Sequence, residues 1–363
     1  MTSIPDRKRL VTGGVDTHKD THVAVVIDEV GRVLGTEGFP VNAKGYAALL
    51  AWMTTHGQVV KVGVEGTGSY GAGLARHLSA KGVAVVEVNR PNRQTRRRRG
   101  KSDPTDAEAA ARAALNGEAS GAPKSRDGAA EALRALRVAR QGAIKARTQA
   151  ANALRDVIVS APEALRARMV SLSADERVQM AARLRPGVLT DPTEATKAAM
   201  RSLALRHQDL SAEIAALDEA MAELVVEAAP DGFLDKTGIG TQVAATLLGT
   251  VGDNPDRLGS EASFAALCGA SPLDASSGKQ VRHRLNRGGD RQANSALWRI
   301  VFTRMHSDPR TRAYVARRTV EGKTTKEIMR CLKRYVAREV YRSLVACARD
   351  AQAGRSAPLA AVA

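Results

Sequence analysis

Hydrophobic and polar positions change rhythm three times along the chain. From Leu10 to Leu115, short β-rich runs alternate with helical runs, and glycine-containing turns separate them. The pattern predicts strands at Thr12–Asp16, His22–Asp28 and Arg32–Phe39, with Asp28-Glu29-Val30-Gly31 short enough to close an antiparallel hairpin. A helix is expected over Ala43–Thr55. Val59–Glu65 and Val83–Val88 are continuous apolar runs of the kind found in buried parallel strands, and a helix near Tyr70–Ala80 separates them.

Three antiparallel strands followed by strands that alternate with helices is the order of a ribonuclease H-like fold. The fold class expected for the whole chain is therefore α/β plus α. Residues Glu131–Ile158 and Lys197–Glu227 are rich in Ala, Leu, Arg and Glu and contain only Gly142 as a break, which favours long helices. Leu203, Leu210, Ile214, Leu217, Met221 and Leu224 make a heptad seam, interrupted at His207. Such a seam suits either a dimerising coiled coil or one face of an antiparallel hairpin within the chain. From Asp231 onward the composition shifts again. Thr237-Gly238-Ile239-Gly240-Thr241 ahead of a helical Val243–Leu248 has the form of a helix-hairpin-helix element, whose turn amides, at Gly238 and Gly240, can hold a phosphate. An ordinary glycine corner is the plainer alternative. The expected organisation is 1–125 catalytic, 126–230 a helical connector, 231–350 a C-terminal domain and 351–363 a disordered tail.

Charge changes the picture most. The 363 residues carry 55 Lys and Arg against 38 Asp and Glu, a net charge of +17, and Arg outnumbers Lys by 41 to 14. Such a surface seeks a polyanion. Between Lys279 and Arg349, 19 basic residues face 5 acidic ones, more than a solvated helix face needs. Arg90 to Lys101 holds seven basic residues in twelve, among them Arg93, Arg96, Arg97, Arg98, Arg99 and Lys101. Aromatics at 3% argue against many stacked rings on single strands, so phosphate contacts are expected. No apolar run reaches a membrane span and Met1–Leu10 is polar, which points to a cytoplasmic protein. Cys268, Cys331 and Cys347 lack metal or disulfide spacing and read as buried thiols.

Four carboxylates stand out. Asp16 ends the first strand, Glu65 ends the strand before Gly66-Thr67-Gly68, and Asp103 and Asp106 share a face of one helical turn. On one edge of a ribonuclease H-like sheet they would offer the hard oxygen ligands that Mg²⁺ prefers. Each has a plainer role: Asp103-Pro104-Thr105-Asp106 also makes a capped helix start, and Asp16 could sit in a turn. His18 and His22, at a spacing that a strand does not bring together, read as surface histidines.

The residues resemble a known family. Gly14-Val15-Asp16-Thr17-His18-Lys19, Val64-Glu65-Gly66-Thr67-Gly68-Ser69-Tyr70-Gly71 and Lys101-Ser102-Asp103-Pro104-Thr105-Asp106-Ala107 are similar to the N-terminal motifs of the DEDD transposases of insertion sequence family one-ten. Thr237-Gly238-Ile239-Gly240, Cys268-Gly269-Ala270-Ser271-Pro272, Ser276-Ser277-Gly278 and Arg287-Gly288-Gly289-Asp290-Arg291 resemble its C-terminal domain. Arg287-Gly288-Gly289-Asp290 replaces the more usual Lys-Arg/Ala-Gly-Asp/Asn.

The resemblance implies a recombinase with a RuvC-like domain, a coiled-coil connector and a serine-bearing C-terminal domain. It implies Asp16, Glu65, Asp103 and Asp106 as Mg²⁺ ligands and Ser277 as nucleophile, with Ser276 the fallback. A structured bridge RNA, donor and target DNA, and a homo-oligomer, dimer or tetramer, are the implied partners. Lys279, Arg282, Arg284, Arg287 and Arg291 are expected on nucleic acid. Three other readings remain open on residues alone: a hydrolytic junction-resolving nuclease, an actin-like ATPase or sugar kinase, and a basic scaffold without catalysis.

Overall fold

The structure is a computed structural model and describes residues 9–88, 102–278 and 283–346. The chain divides into two compact units. One comprises the chain up to Asp127 with Gly252–Ser263; the other comprises Gly128–Val251 and the chain from Phe264 on.

The first unit is built on β1 (Leu10–Thr17), β2 (Thr21–Asp28), β3 (Val33–Pro40), β4 (Gln58–Glu65) and β5 (Ala84–Val88), in the spatial order β3-β2-β1-β4-β5. β1, β2 and β3 pair antiparallel, while β4 runs parallel to both β1 and β5. This is the ribonuclease H-like order that the hydrophobic pattern predicts, with boundaries moved by one or two residues. Helices α1 (Ala43–His56) and α2 (Ala72–Ala80) cover one face of the sheet through Leu49, Met53, Leu74 and Leu78, which pack on Val11, Val15, Val62 and Val64. Asn42 starts α1 by accepting a hydrogen bond from the Gly45 amide. The opposite face takes α3 (Asp103–Leu115), whose Ala107 and Ala111 meet Val25 and Ile27.

Alternation within the strands decides which residues meet α3. Gly14 of β1 and Gly63 of β4 pair in register, and both lie under its backbone. A Cβ on Gly14 would run into Ala107 and Ala111, and one on Gly63 into Ala110. The two glycines let α3 settle onto the sheet without side chains between.

In the second unit, α4 (Ala129–Val159) and α7 (Pro192–Ala228) pack along each other, joined through α5 (Glu163–Arg166) and α6 (Ala174–Ala182). Asp191 caps α7 on the amides of Thr193 and Glu194 with Pro192 following, and Ser173 with Glu176 forms a capping box on α6. The predicted apolar seam of α7 is an intrachain contact. Its most buried residues are Met200, Ala204, Ile214, Met221 and Val225, whereas Leu203, Leu210, Leu217 and Leu224 flank them half-buried. Ile214 and Met221 of the predicted seam lie at its buried centre, while the four leucines alternating with them stand one position to the side of the buried Ala204 and Val225 line.

α8 (Thr241–Val251) is buried along nearly its whole length and packs against α4, α7 and α10 (Arg291–Ser307). α9 (Glu261–Leu267) leads to a short hairpin of β6 (Leu273–Asp274) and β7 (His283–Arg284). α10, α11 (Pro309–Val320) and α12 (Thr325–Tyr341) complete the unit. Among the described residues, no helix is long and apolar enough to cross a membrane. Cys268 is buried and Cys331 half-buried.

Candidate active site

β1 and β4 end side by side, tied by the Thr17 hydroxyl, which donates to the Glu65 carbonyl at 2.8 Å. Because side chains alternate, Asp16 shares the face of Gly14, two residues before it, and Glu65 shares the face of Gly63. Both carboxylates therefore belong to the α3 side of the sheet. The glycines that seat α3 also set its first turn, with Asp103 and Asp106, at that edge. Asp16 is 7% exposed and Asp106 3%, so both are charges held away from most water.

The Asp16 pKa is raised, first by burial; the His18 charge opposes the shift, and the Asp106 and Asp103 charges reinforce it. His18 is the residue that sequence reasoning passed over. Its Nε2 lies 3.1 Å from Asp16 Oδ2 and 3.3 Å from Asp103 Oδ1. Ligand atoms of Asp16, His18 and Asp103 all fall within 4.8 Å of one another, a possible metal-binding group. Asp106 is coupled to it through Asp16; neither Asp106 nor Glu65 belongs to so close a set among the described residues. The available signal was the spacing of His18 two residues after Asp16, at the strand end. His18 is exposed, as expected of a surface histidine, but His22 is not. It is fully buried on β2, stacks on Tyr46 at 5.8 Å, and burial lowers its pKa to about 4.

Capping does not account for Asp103. Ser102 occupies the N-cap position of α3 and Pro104 lies within its first turn, while the Asp103 carboxylate turns to His18. The turn after Glu65 is fixed independently: Gly66 has φ +68°, and the buried Thr67 hydroxyl donates to Glu87 Oε1 at 2.6 Å.

In the second unit, Gly289 rests against the backbone of Cys268 and Gly269, the Asp290 amide donates to the Leu267 carbonyl, and Asn294 Nδ2 donates to the Cys268 and Gly269 carbonyls. Two of the sequence motifs are thus one structural unit. Lys333 is buried and donates to Asn294 Oδ1 at 2.9 Å. Cys268 is buried and its thiol is pushed up to about 12, by burial and by the Asp290 charge, so it stays protonated. Asp290 also caps α10 on the amides of Gln292 and Ala293.

Ser276 and Ser277 are exposed beyond β6, and Asp274 Oδ1 accepts from both the Ser276 amide and its hydroxyl. Arg284, Arg287 and Arg291 are exposed. Gly238 takes φ +86° and packs on Ile300, and Thr237 O accepts from Arg304. The residues before α8, from Pro230 to Gly240, form a run of turns. Arg93, Arg96, Arg97, Arg98, Arg99, Lys101, Lys279 and Arg282 lie outside the described residues.

Fold and carboxylates together define a ribonuclease H-like protein of the DEDD type. Residues 13–161 match the DEDD family model described as Transposase, and residues 233–316 match that of the Transposase IS116/IS110/IS902 family. The chain belongs to the IS110 family of transposases. It is 32% identical over 123 residues to the insertion element IS110 uncharacterized 43.6 kDa protein of Streptomyces coelicolor. That similarity spans 33% of this chain and 30% of the relative.

Proposed function

We propose that the protein is a DNA transposase that cleaves and exchanges strands through a phosphoserine intermediate. The observation that carries the reading is the convergence of Asp16, His18 and Asp103 at the end of β1, in a chain matched by both halves of a transposase family. The donor set suits a divalent cation: carboxylate oxygens dominate, and Asp106 adds negative charge beside the buried Asp16. Asp16, Glu65, Asp103 and Asp106 are assigned to Mg²⁺, with His18 beside them. The ion, when bound, lowers the pKa of an attacking hydroxyl and offsets charge on the phosphate.

Ser277 is assigned as the nucleophile. Its hydroxyl oxygen forms a bond to phosphorus as the bond to the 3′ oxygen breaks; the serine gives up one proton and the leaving 3′ oxygen takes one. The phosphodiester energy stays in the serine ester, so the 3′-OH of a different strand reverses the step without ATP. Lys279, Arg282, Arg284, Arg287 and Arg291, the Arg93 to Lys101 run and the Gly238 and Gly240 turn are assigned to phosphate contacts. The remaining assignments are a bridge RNA that pairs with donor and target DNA, a homo-oligomeric assembly, and a cytoplasmic location.

Incubating the full chain with Mg²⁺, DNA and the RNA transcribed beside its coding region tests the proposal. A covalent protein–DNA adduct and strand-exchanged product are expected. Cleavage with water-derived ends and no adduct would instead make the protein a hydrolytic nuclease.

A further inference from the structure

α10 presents two unusual surfaces on adjoining faces. Arg299 and Ser295 line a cavity of about 290 Å³, with Arg137, Arg140 and Lys145 of α4 and Gln242 of α8 among its other walls. Arg140 is paired with Asp218. No carboxylate forms an ion pair with Arg137, Lys145 or Arg299 among the described residues. Asp290, the acidic group nearest Arg137 in effect, is bonded to two amides of α10. Arg137 is held in place by donating to Gln292 Oε1 at 2.7 Å. Gln242 stands in the first turn of α8, whose N-terminus adds positive potential to the cations around this cavity, while the N-terminus of α10 is taken by Asp290.

Phe302 follows Arg299 by three residues and so adjoins it on the helix surface. Trp298 and Phe302 are 41% and 46% exposed and stack with centroids 5.1 Å apart and planes 18° from parallel; His306 continues the row at 4.7 Å. The chain has only two tryptophans and four phenylalanines. One of each stands stacked in solvent beside unpaired cations.

We infer that this side of α10 binds an unpaired nucleic-acid strand, with a phosphate in the cation-lined cavity and bases against Trp298 and Phe302. The inference rests on the nucleic-acid reading above and adds a site to it. Flat apolar rings beside cations match a ligand that alternates flat bases with phosphates. A duplex hides its base faces, so only an unpaired strand offers both.

Trp298 provides its own probe. In the full chain carrying Trp52→Phe, Trp298 is the remaining indole. A short mixed-sequence oligonucleotide, ribo or deoxyribo, is expected to quench its fluorescence saturably when unpaired and not when annealed to its complement. Arg299→Gln with Lys145→Gln, both exposed positions, should weaken binding on the order of tenfold and lower the salt slope by ~1.4, at ~0.7 per phosphate contact. Phe302→Ala should weaken binding and leave the slope unchanged.

A labelled strand that binds by anisotropy without quenching Trp298, or an unchanged slope in the double variant, overturns this site and leaves the nucleic-acid reading standing. No binding of any strand or duplex removes both. Equal quenching by the duplex overturns the restriction to unpaired strands. Quenching by polyglutamate in place of the oligonucleotide makes the face a protein-docking surface.

Discussion

His18 Nε2 lies 3.3 Å from Asp103 Oδ1, so a residue just past β1 reaches the first turn of a helix 85 positions later. The same nitrogen is 3.1 Å from Asp16, which makes His18 the direct link between strand and helix at the carboxylate edge. Loss of a true ligand should exceed the 10–100-fold penalties typical of supporting residues. Asp16→Asn and Asp103→Asn are expected to lower DNA cleavage by more than about 100-fold while far-UV circular dichroism stays unchanged. His18→Ala should cost about 10–100-fold and raise the divalent-ion concentration needed for half-maximal rate. Full activity in Asp16→Asn would show that the edge is not a metal site.

Seating of α3 gives a second test. Gly14 lies beneath Ala107 and Ala111, and a methyl group there has no space. Gly14→Ala is expected to destabilise the fold by about 1–3 kcal/mol through overpacking and to shift the helix that carries Asp103 and Asp106. Gly82→Ala is the contrasting variant. Its added Cβ meets nothing within 4 Å, and its cost comes only from φ +75°. Thermal melting separates the two, and cleavage rate should fall further in Gly14→Ala than its stability loss explains.

Much of this arrangement was legible in the sequence. The strand order followed from alternation and continuous apolar runs, and Asp16, Glu65, Asp103 and Asp106 were marked by their places at element ends. His18 was missed because it was weighed only against His22, its neighbour at spacing four, whereas its partners come from a non-local contact. His22 shows the converse: a polar residue in a strand was read as exposed, yet it packs in the core against Tyr46. Part of the α7 seam was legible: Ile214 and Met221 are buried, whereas Leu203, Leu210, Leu217 and Leu224 flank the contact, because a run of leucines does not say which neighbouring position faces α4.

His22 carries a pH consequence. Burial, and less strongly the charge of His18, lowers its pKa from 6.5 to about 4. Between those values the unfolded chain binds a proton that the folded chain refuses, so stability rises with pH. Its contribution is fully present above 6.5 and is lost as pH falls toward 4, a difference of about 3 kcal/mol at ~1.36 kcal/mol per unit. His22→Phe keeps a ring on Tyr46 and removes the titration. Denaturation midpoints measured from pH 7 to pH 4 should fall less steeply in that variant than in the wild type.

Met221 tests the helical pair. It is fully buried where α7 packs with α4 in the same chain. Met221→Ala is expected to cost about 2–5 kcal/mol, with a melting temperature independent of protein concentration. Leu217→Asp, at a half-buried flank, should then alter stability more than oligomer size on gel filtration. A concentration-dependent melt for Met221→Ala would assign the seam to contacts between protomers.

Asp274 discriminates between the two serines. Its Oδ1 accepts from the Ser276 amide at 2.9 Å and from the Ser276 hydroxyl, and these bonds lower its pKa, so it is a carboxylate at neutral pH. A bond from the side chain to the amide two residues on is an Asx turn, and here it fixes the backbone that leads into Ser277. In the proposed mechanism Ser276 therefore positions and Ser277 attacks. Ser276→Ala is expected to slow adduct formation by roughly tenfold, the loss of one hydrogen bond to a charged group, without abolishing it. Ser277→Ala should bind DNA with wild-type affinity and form no adduct. Mass spectrometry of the nuclease-digested protein should place a nucleotide on Ser277. If the nucleotide is found on Ser276, and Ser277→Ala still exchanges strands, then Asp274 is the base of a Ser276 nucleophile and the assignment moves by one residue.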